Sequence, residues 1–147
     1  MENRFRLAFL SRPENVGLAR LAVAALAGQA AFTVNDLEEI KVAVSEAVSN
    51  AIVHGYAGRP DGWVEIEAWC DGERLGISVA DHGVGIADVE AARRPAHSTD
   101  PERLGLGFLF METFMDRLEV ESRLGAGTRV LMEKVVNVPD SVDADAP

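Results

Sequence analysis

Near its start the chain alternates. In "RFRLAFL", Phe5, Leu7 and Phe9 fall on one side of an extended backbone, which predicts a strand. The period then lengthens. Ser11 stands three residues before Glu14, the spacing of a capping box, with Pro13 in the first turn. A helix is therefore expected from about Pro13 to the region of Gly28. Thr33 and Asn35 offer caps for a second helix ending at Gly55, whose apolar stripe is Ile40, Val44, Ala47, Val48 and Ala51. Alternation returns in "WVEIEAWC", where Val64, Ile66, Ala68 and Cys70 oppose Glu65, Glu67 and Trp69. Asp71-Gly72 turns the chain into "RLGISVA", with Leu75, Ile77 and Val79 on one face, so the two runs read as a hairpin. A short helix, a polar stretch with Pro95 and Pro101, and the apolar helix "GLGFLFMETFM" follow. Strands near Leu118–Arg123 and Thr128–Val136 flank the turn "GAG".

This order predicts an α+β fold, a two-layer sandwich of a mixed or antiparallel sheet with helices on one face. The length of 147 residues suits one domain, assigned to residues 1–136. The acidic, proline-containing end, 137–147, reads as a disordered tail.

Composition narrows the function. A hydrophobic content of 48% with 26% charged residues belongs to a globular chain. The net charge of −10 argues against direct nucleic-acid binding, which needs a basic face, yet leaves room for a nucleotide held by backbone amides and a metal ion. The single cysteine, Cys70, cannot form an internal disulfide, which fits a reducing compartment. The N-terminus lacks a signal-peptide pattern, and Val16 to Val34, the one stretch long enough to test as a membrane span, carries Arg20, Gly28 and Gln29. A cytoplasmic protein is expected.

Three motifs carry candidate chemistry. Glu46 and Asn50, four residues apart, stack on one flank of the second helix. The pair is explained equally by a half-exposed polar flank or by chemistry, the amide oxygen suiting Mg²⁺ and the carboxylate suiting proton removal from a hydroxyl. In "DHGVGI", Asp81 ends a strand ahead of Gly83 and Gly85. That is either a glycine-rich turn or a purine reader, since a carboxylate accepts a hydrogen bond from an exocyclic amine. No G-x-x-x-x-G-K-[ST] occurs, and the surroundings are not those of a dinucleotide-binding turn. In "RLGLGF", Gly105 and Gly107 open an apolar helix whose free amides suit phosphate, with Arg103 adding charge; close packing alone would also explain the glycines. The polar run "RRPAHSTDPER" before it has the character of a lid. His82 and His97 read as surface histidines, His54 either as a residue near the site or as a helix-end residue, and Met111, Phe114 and Met115 as core.

In order and spacing these motifs resemble the GHKL, or Bergerat, ATP-binding superfamily of gyrase, histidine kinases and MutL. "EAVSNAIVHGY" is similar to its N box, and "DHGVGI" and "GLGF" to its two glycine boxes. Within it, "EIKVAVSEAVSNAIVHGY", "EAARRP" and "GLGFLFMETFMD" resemble the anti-sigma F family, small serine kinases of bacterial sporulation. The resemblance implies ATP and Mg²⁺, with Glu46 as catalytic base, Asn50 as the Mg²⁺ residue and Asp81 as the adenine reader flanked by Gly83 and Gly85. It implies Arg103 at the γ-phosphate, Gly105 and Gly107 as the phosphate turn, and Thr128 in "GTRV" as support for Asp81. It further implies a sigma factor and an anti-anti-sigma protein as partners, and a homodimer. The segment between Pro95 and Gly105 is shorter than the family's lid. Other readings are a stress-response sibling, a nucleotide-dependent binding module without transfer, and a detached histidine-kinase catalytic domain.

Arg20 is the only charged residue between Asn15 and Asn35. Helical geometry predicts Leu21, Ala22 and Ala25 on the core side and Val16, Val23, Ala24 and Ala27 around the arginine. The bland explanation is a snorkelling cation on an Ala-rich helix. The resemblance implies instead a docking anchor for both protein partners.

Overall fold

The computed structural model describes residues 2–94 and 104–137. The elements are β1 (Asn3–Leu10), α1 (Asn15–Ala27), α2 (Val34–Asn50), a π-helical turn (Ala51–Gly55), β2 (Trp63–Cys70), β3 (Arg74–Asp81), α3 (Val89–Arg93), α4 (Leu104–Phe114), β4 (Arg117–Arg123) and β5 (Gly127–Val135). The strands form one five-stranded sheet in the order β1-β2-β3-β5-β4. Every pairing in it is antiparallel. The α+β sandwich expected from the sequence is thus present, with the antiparallel rather than the mixed form of sheet.

Period two decides the layers. Val64, Ile66, Ala68 and Cys70 of β2 and Leu75, Ile77 and Val79 of β3 are all buried against the helices. They meet the α2 stripe of Ile40, Val44, Ala47 and Val48, and Phe108 and Met111 of α4. The opposite face is polar: Glu67 pairs with Arg4, whose guanidinium lies 5.1 Å from the Trp69 ring centroid. The hairpin turn is set by Asp71, whose Oδ1 accepts from the amides of Glu73 and Arg74, and by Gly72 at φ +95°.

Helix entry differs between the first two helices. Thr33 caps α2 in a reciprocal box with Asp36. The box expected at Ser11 does not form: α1 starts after Glu14, without a side-chain cap. Ser11 is instead fully buried, donating to the Arg59 carbonyl at 2.5 Å and accepting from the Gly62 amide at 3.0 Å. A short side chain at a strand end can bond its own turn or a neighbouring loop, and burial favours the loop that leaves no polar group unpaired.

The α1 face assignment is corrected as well. Ala19, Val23, Leu26 and Ala27 face the core, whereas Leu21 is 65% exposed and Ala25 is also exposed. With one charge in the helix, the sequence gives no polar stripe to mark its outward side, and packing on α2 sets the rotation instead.

Two contacts fix the helices that matter below. Lys134 of β5 is buried and donates to the carbonyl of Phe114, at the end of α4, at 2.6 Å, and to Glu39 of α2 at 3.2 Å. It thereby ties α2 and α4 to the same strand. Among the described residues no helix is long and apolar enough to cross a membrane. His97, the lid-like segment at 95–103 and the tail from 138 lie outside the described residues.

Candidate functional site

The second helix reaches Gly55 as expected, but its last turn widens after Asn50 into a π-helical turn. Such bulges redirect a helix end and are frequent at functional sites. Here the wider turn aims the Gly55 carbonyl at the Val84 amide, which donates to it at 2.9 Å.

That contact docks the loop 81–86 onto the helix end, and its glycines follow from the docking. A Cβ on Gly83 would stand 1.8 Å from the Gly55 oxygen, and one on Gly85 would stand 2.1 Å from the Arg123 oxygen. Gly85 also has φ +77°. The two glycines therefore have a reason within the protein itself, close backbone approach, beside any approach to a ligand.

Asp81 and Thr128 are direct partners in the β3–β5 ladder. A narrow cleft of about 30 Å³ at this point is lined by Asn50, His54, Asp81, Gly85, Phe108 and Thr128, among others. Asp81 is 6% exposed, and its Oδ1 accepts from the Gly83 amide at 2.9 Å. Burial pushes its carboxyl above the usual carboxylate range, opposed by backbone amides of Gly83 and Thr128 and by the nearby His82. His82 itself is exposed beside Glu65, as a surface histidine should be. His54 is half-buried at the end of the π-turn and lines the cleft.

The Glu46/Asn50 flank meets α4. A Cβ on Gly107 would stand 3.0 Å from Glu46 Oε1 and 3.3 Å from Asn50 Oδ1, so only glycine leaves clear space there. Gly105 is buried in the first turn of the same helix. Asn50 carries a buried side-chain nitrogen with no hydrogen-bond partner among the described residues. Such a group is uncommon unless something else satisfies it. A carboxamide offers oxygen to Mg²⁺ and N–H to a phosphate oxygen, and Mg²⁺ needs only one or two protein ligands beside phosphates and water. The residues present fit that ion.

The structure thus gathers Asn50, Asp81, Gly85 and Thr128 around one cleft, with Gly83 behind Asp81 as an amide donor and not in the lining, and sets Glu46 and Gly107 beside Asn50. Arg103 lies outside the described residues. Arg20 is not part of the cleft lining; it is exposed on α1, 3.4 Å from Ser45 Oγ. Three neighbours have no site role in the sequence reading: Gly55 reads there as a helix stop, Tyr56 only closes the N-box-like stretch, and Ser122 carries no signal. Ser122 Oγ accepts from the Ile86 amide at 2.7 Å and lies 2.8 Å from Thr128 Oγ1.

Comparison with known proteins bears on the fold and the family. Residues 9–134 match the family model of the histidine kinase-like ATPase domain. The anti-sigma F factor of Clostridium beijerinckii is 45% identical over 139 residues, 93% of this chain and 97% of that protein. Its counterpart in Clostridium perfringens is 47% identical over 139 residues, 93% of this chain and 99% of that protein. Among solved structures, the RsbU and RsbW domains of a Mycobacterium tuberculosis protein superpose with TM-score 0.62 at 19% identity, over 94% of this chain and 34% of that one. The mycobacterial sensor histidine kinase MprB gives TM-score 0.58 at 17% identity, over 89% of this chain and 97% of that one. These two likenesses concern the fold. The extent of the match to the family model and to the clostridial proteins places the chain in the histidine kinase-like ATPase domain family and, within it, among the anti-sigma F factors.

Proposed function

We propose that this chain is a cytoplasmic anti-sigma factor and ATP-dependent protein serine kinase. It captures a sporulation sigma factor and phosphorylates a serine of an anti-anti-sigma partner, working as a homodimer. The observation that carries the reading is the convergence of Asn50, Asp81 and Thr128 on one cleft, with Glu46 beside Asn50 where α4 begins. The names of the clostridial relatives supply the regulatory setting.

In this reading Asp81 accepts a hydrogen bond from the adenine amine, oriented by the amides of Gly83 and Thr128. The amides around Gly105 and Gly107, at the start of α4, receive phosphate oxygens with the helix dipole behind them. Asn50 would hold Mg²⁺, which supplies neutralisation of phosphate charge. Glu46 takes the proton from the serine hydroxyl as its oxygen attacks the γ-phosphorus, and the bond to the β–γ bridging oxygen breaks, releasing ADP. Arg103 adds positive charge at the transferred group.

The test is incubation of the protein with γ-labelled ATP, Mg²⁺ and a purified anti-anti-sigma protein. Label is expected on a partner serine, and its replacement by alanine removes the signal. ATP binding without any transfer would leave a nucleotide-dependent binding module in place of a kinase.

A further inference from the structure

The loop that follows Asp81 is held at both ends by hydroxyl groups from outside the glycine motif. At its start the His82 amide donates to Tyr56 Oη at 2.7 Å, and the same hydroxyl donates to the Trp63 carbonyl at 2.6 Å. At its end the Ile86 amide donates to Ser122 Oγ. Between them, the Val84 amide donates to the Gly55 carbonyl, and the Val84 carbonyl accepts from Gly125 at 2.8 Å.

Tyr56, the only tyrosine of the chain, is 6% exposed. Its ring is pinned independently of its hydroxyl: a Cβ on Gly62 would stand 2.5 Å from ring carbons. The hydroxyl is thus delivered to a fixed point, where it acts as donor to β2 and acceptor from the residue after Asp81. Gly55, the residue before Tyr56, lies against the Asp81 carboxylate itself. The carboxylate direction is set by backbone on both sides of it, and Tyr56 fixes one of those sides.

We propose that Tyr56 is a positioning residue for base recognition: its hydroxyl fixes the Asp81–His82 backbone, and with it the carboxylate, so that a purine amine is preferred to a purine carbonyl. The proposal rests on the nucleotide reading above. Ser122 does the equivalent at the far end, through the Ile86 amide and through Thr128, whose own amide donates to Asp81.

The experiment compares ATP with inosine triphosphate, whose base carries a carbonyl where adenine carries the amine. Affinities for both are measured in the parent, Tyr56→Phe, Ser122→Ala and Asp81→Asn, well below each melting temperature. The parent should prefer ATP. Tyr56→Phe keeps the pinned ring and should lose about three- to tenfold in ATP affinity, the scale of one neutral hydrogen bond, with inosine triphosphate binding unchanged. The KM for ATP should rise by that factor while kcat holds. Ser122→Ala should narrow the preference in the same direction, and it carries the test if Tyr56→Phe does not fold. A purely structural role would lower both affinities together; that result, or an undiminished preference in the two hydroxyl variants, would overturn the proposal. A parent protein that binds no ATP would overturn the nucleotide reading and this proposal with it. A parent that binds both nucleotides equally would overturn only the base-recognition role.

Discussion

Gly55 lies directly against the carboxylate of Asp81: a Cβ built on Gly55 would stand 2.7 Å from Asp81 Cγ and 2.8 Å from each of its oxygens. Both neighbours of that contact are buried, so the carboxylate has nowhere cheap to go. Gly55→Ala should therefore displace Asp81 and cost about 1–3 kcal/mol of stability as an overpacked site. ATP affinity should drop with it. A variant melting with the parent and binding ATP equally well would mean the carboxylate is not held as described.

Asp81→Asn preserves shape but turns an acceptor pair into one acceptor and one donor, which opposes the adenine amine. Loss of a charge-assisted hydrogen bond is worth about 1.5–3 kcal/mol, or roughly ten- to a hundredfold in affinity. Isothermal calorimetry with ATP checks the figure, and parental affinity in the variant would remove Asp81 from base recognition.

The raised pKa of Asp81 has a pH consequence whose sign is fixed by burial. The folded protein holds the Asp81 proton more tightly than the unfolded chain does, so ionised Asp81 costs stability. That cost is absent below the ordinary Asp value of about 3.9, grows above it, and is complete once pH exceeds the folded-state value. Melting temperatures of the nucleotide-free protein should accordingly contain a component that falls with rising pH through this window and is missing in Asp81→Asn. Conversely, ATP affinity should weaken as pH falls through the folded-state value, because the protonated carboxyl is a poorer acceptor. Parallel melting profiles for parent and variant would contradict this.

Chemistry and binding separate at the α2–α4 contact. Glu46→Gln should cut phosphoryl transfer by roughly a hundredfold or more while ATP still binds, since an amide cannot take the serine proton. Asn50→Ala should instead weaken the Mg²⁺-nucleotide complex. Gly107→Ala places a methyl 3.0 Å from Glu46 Oε1 in a helix that otherwise favours alanine. Transfer should fall there without loss of thermal stability. Single-turnover rates at saturating ATP distinguish the three, and near-normal transfer by Glu46→Gln would reduce it to a structural polar residue.

Much of this site is legible in the sequence wherever a local period exists. The α2 stripe places Glu46 and Asn50 on its flank, and the β2–β3 alternation puts Asp81 at a strand end. The contacts that complete the site are non-local. Thr128 opposes Asp81 because β5 inserts between β3 and β4, an order no local pattern encodes. Gly83 needs to be glycine because of the Gly55 carbonyl, and Ser122 matters through the Ile86 amide. Ser11 shows the reverse hazard: a capping spacing is present, yet tertiary burial claims the hydroxyl.

The corrected face of α1 sharpens what Arg20 should do. The arginine is exposed at the border of the buried face that carries Val23 and Ala27, 3.4 Å from Ser45 Oγ of α2, and Leu21, 65% exposed, follows it on the outward side. An arginine next to an exposed leucine joins planar charge to apolar area, the composition favoured at interface centres. Leu21→Ala should leave stability within about 0.5 kcal/mol, as a surface change does. Arg20→Glu should leave ATP binding intact, because the cleft is built from α2, α4 and the sheet. The same reversal should weaken sigma-factor capture by roughly 2 kcal/mol, about thirtyfold, through lost pairing and added repulsion. If the anti-anti-sigma protein uses the same anchor, the two partners compete, and Arg20→Glu should weaken both. Surface plasmon resonance with immobilised variant and each partner in turn reads this out. Parental sigma affinity in Arg20→Glu, with ATP binding unaltered, would move the docking surface off α1.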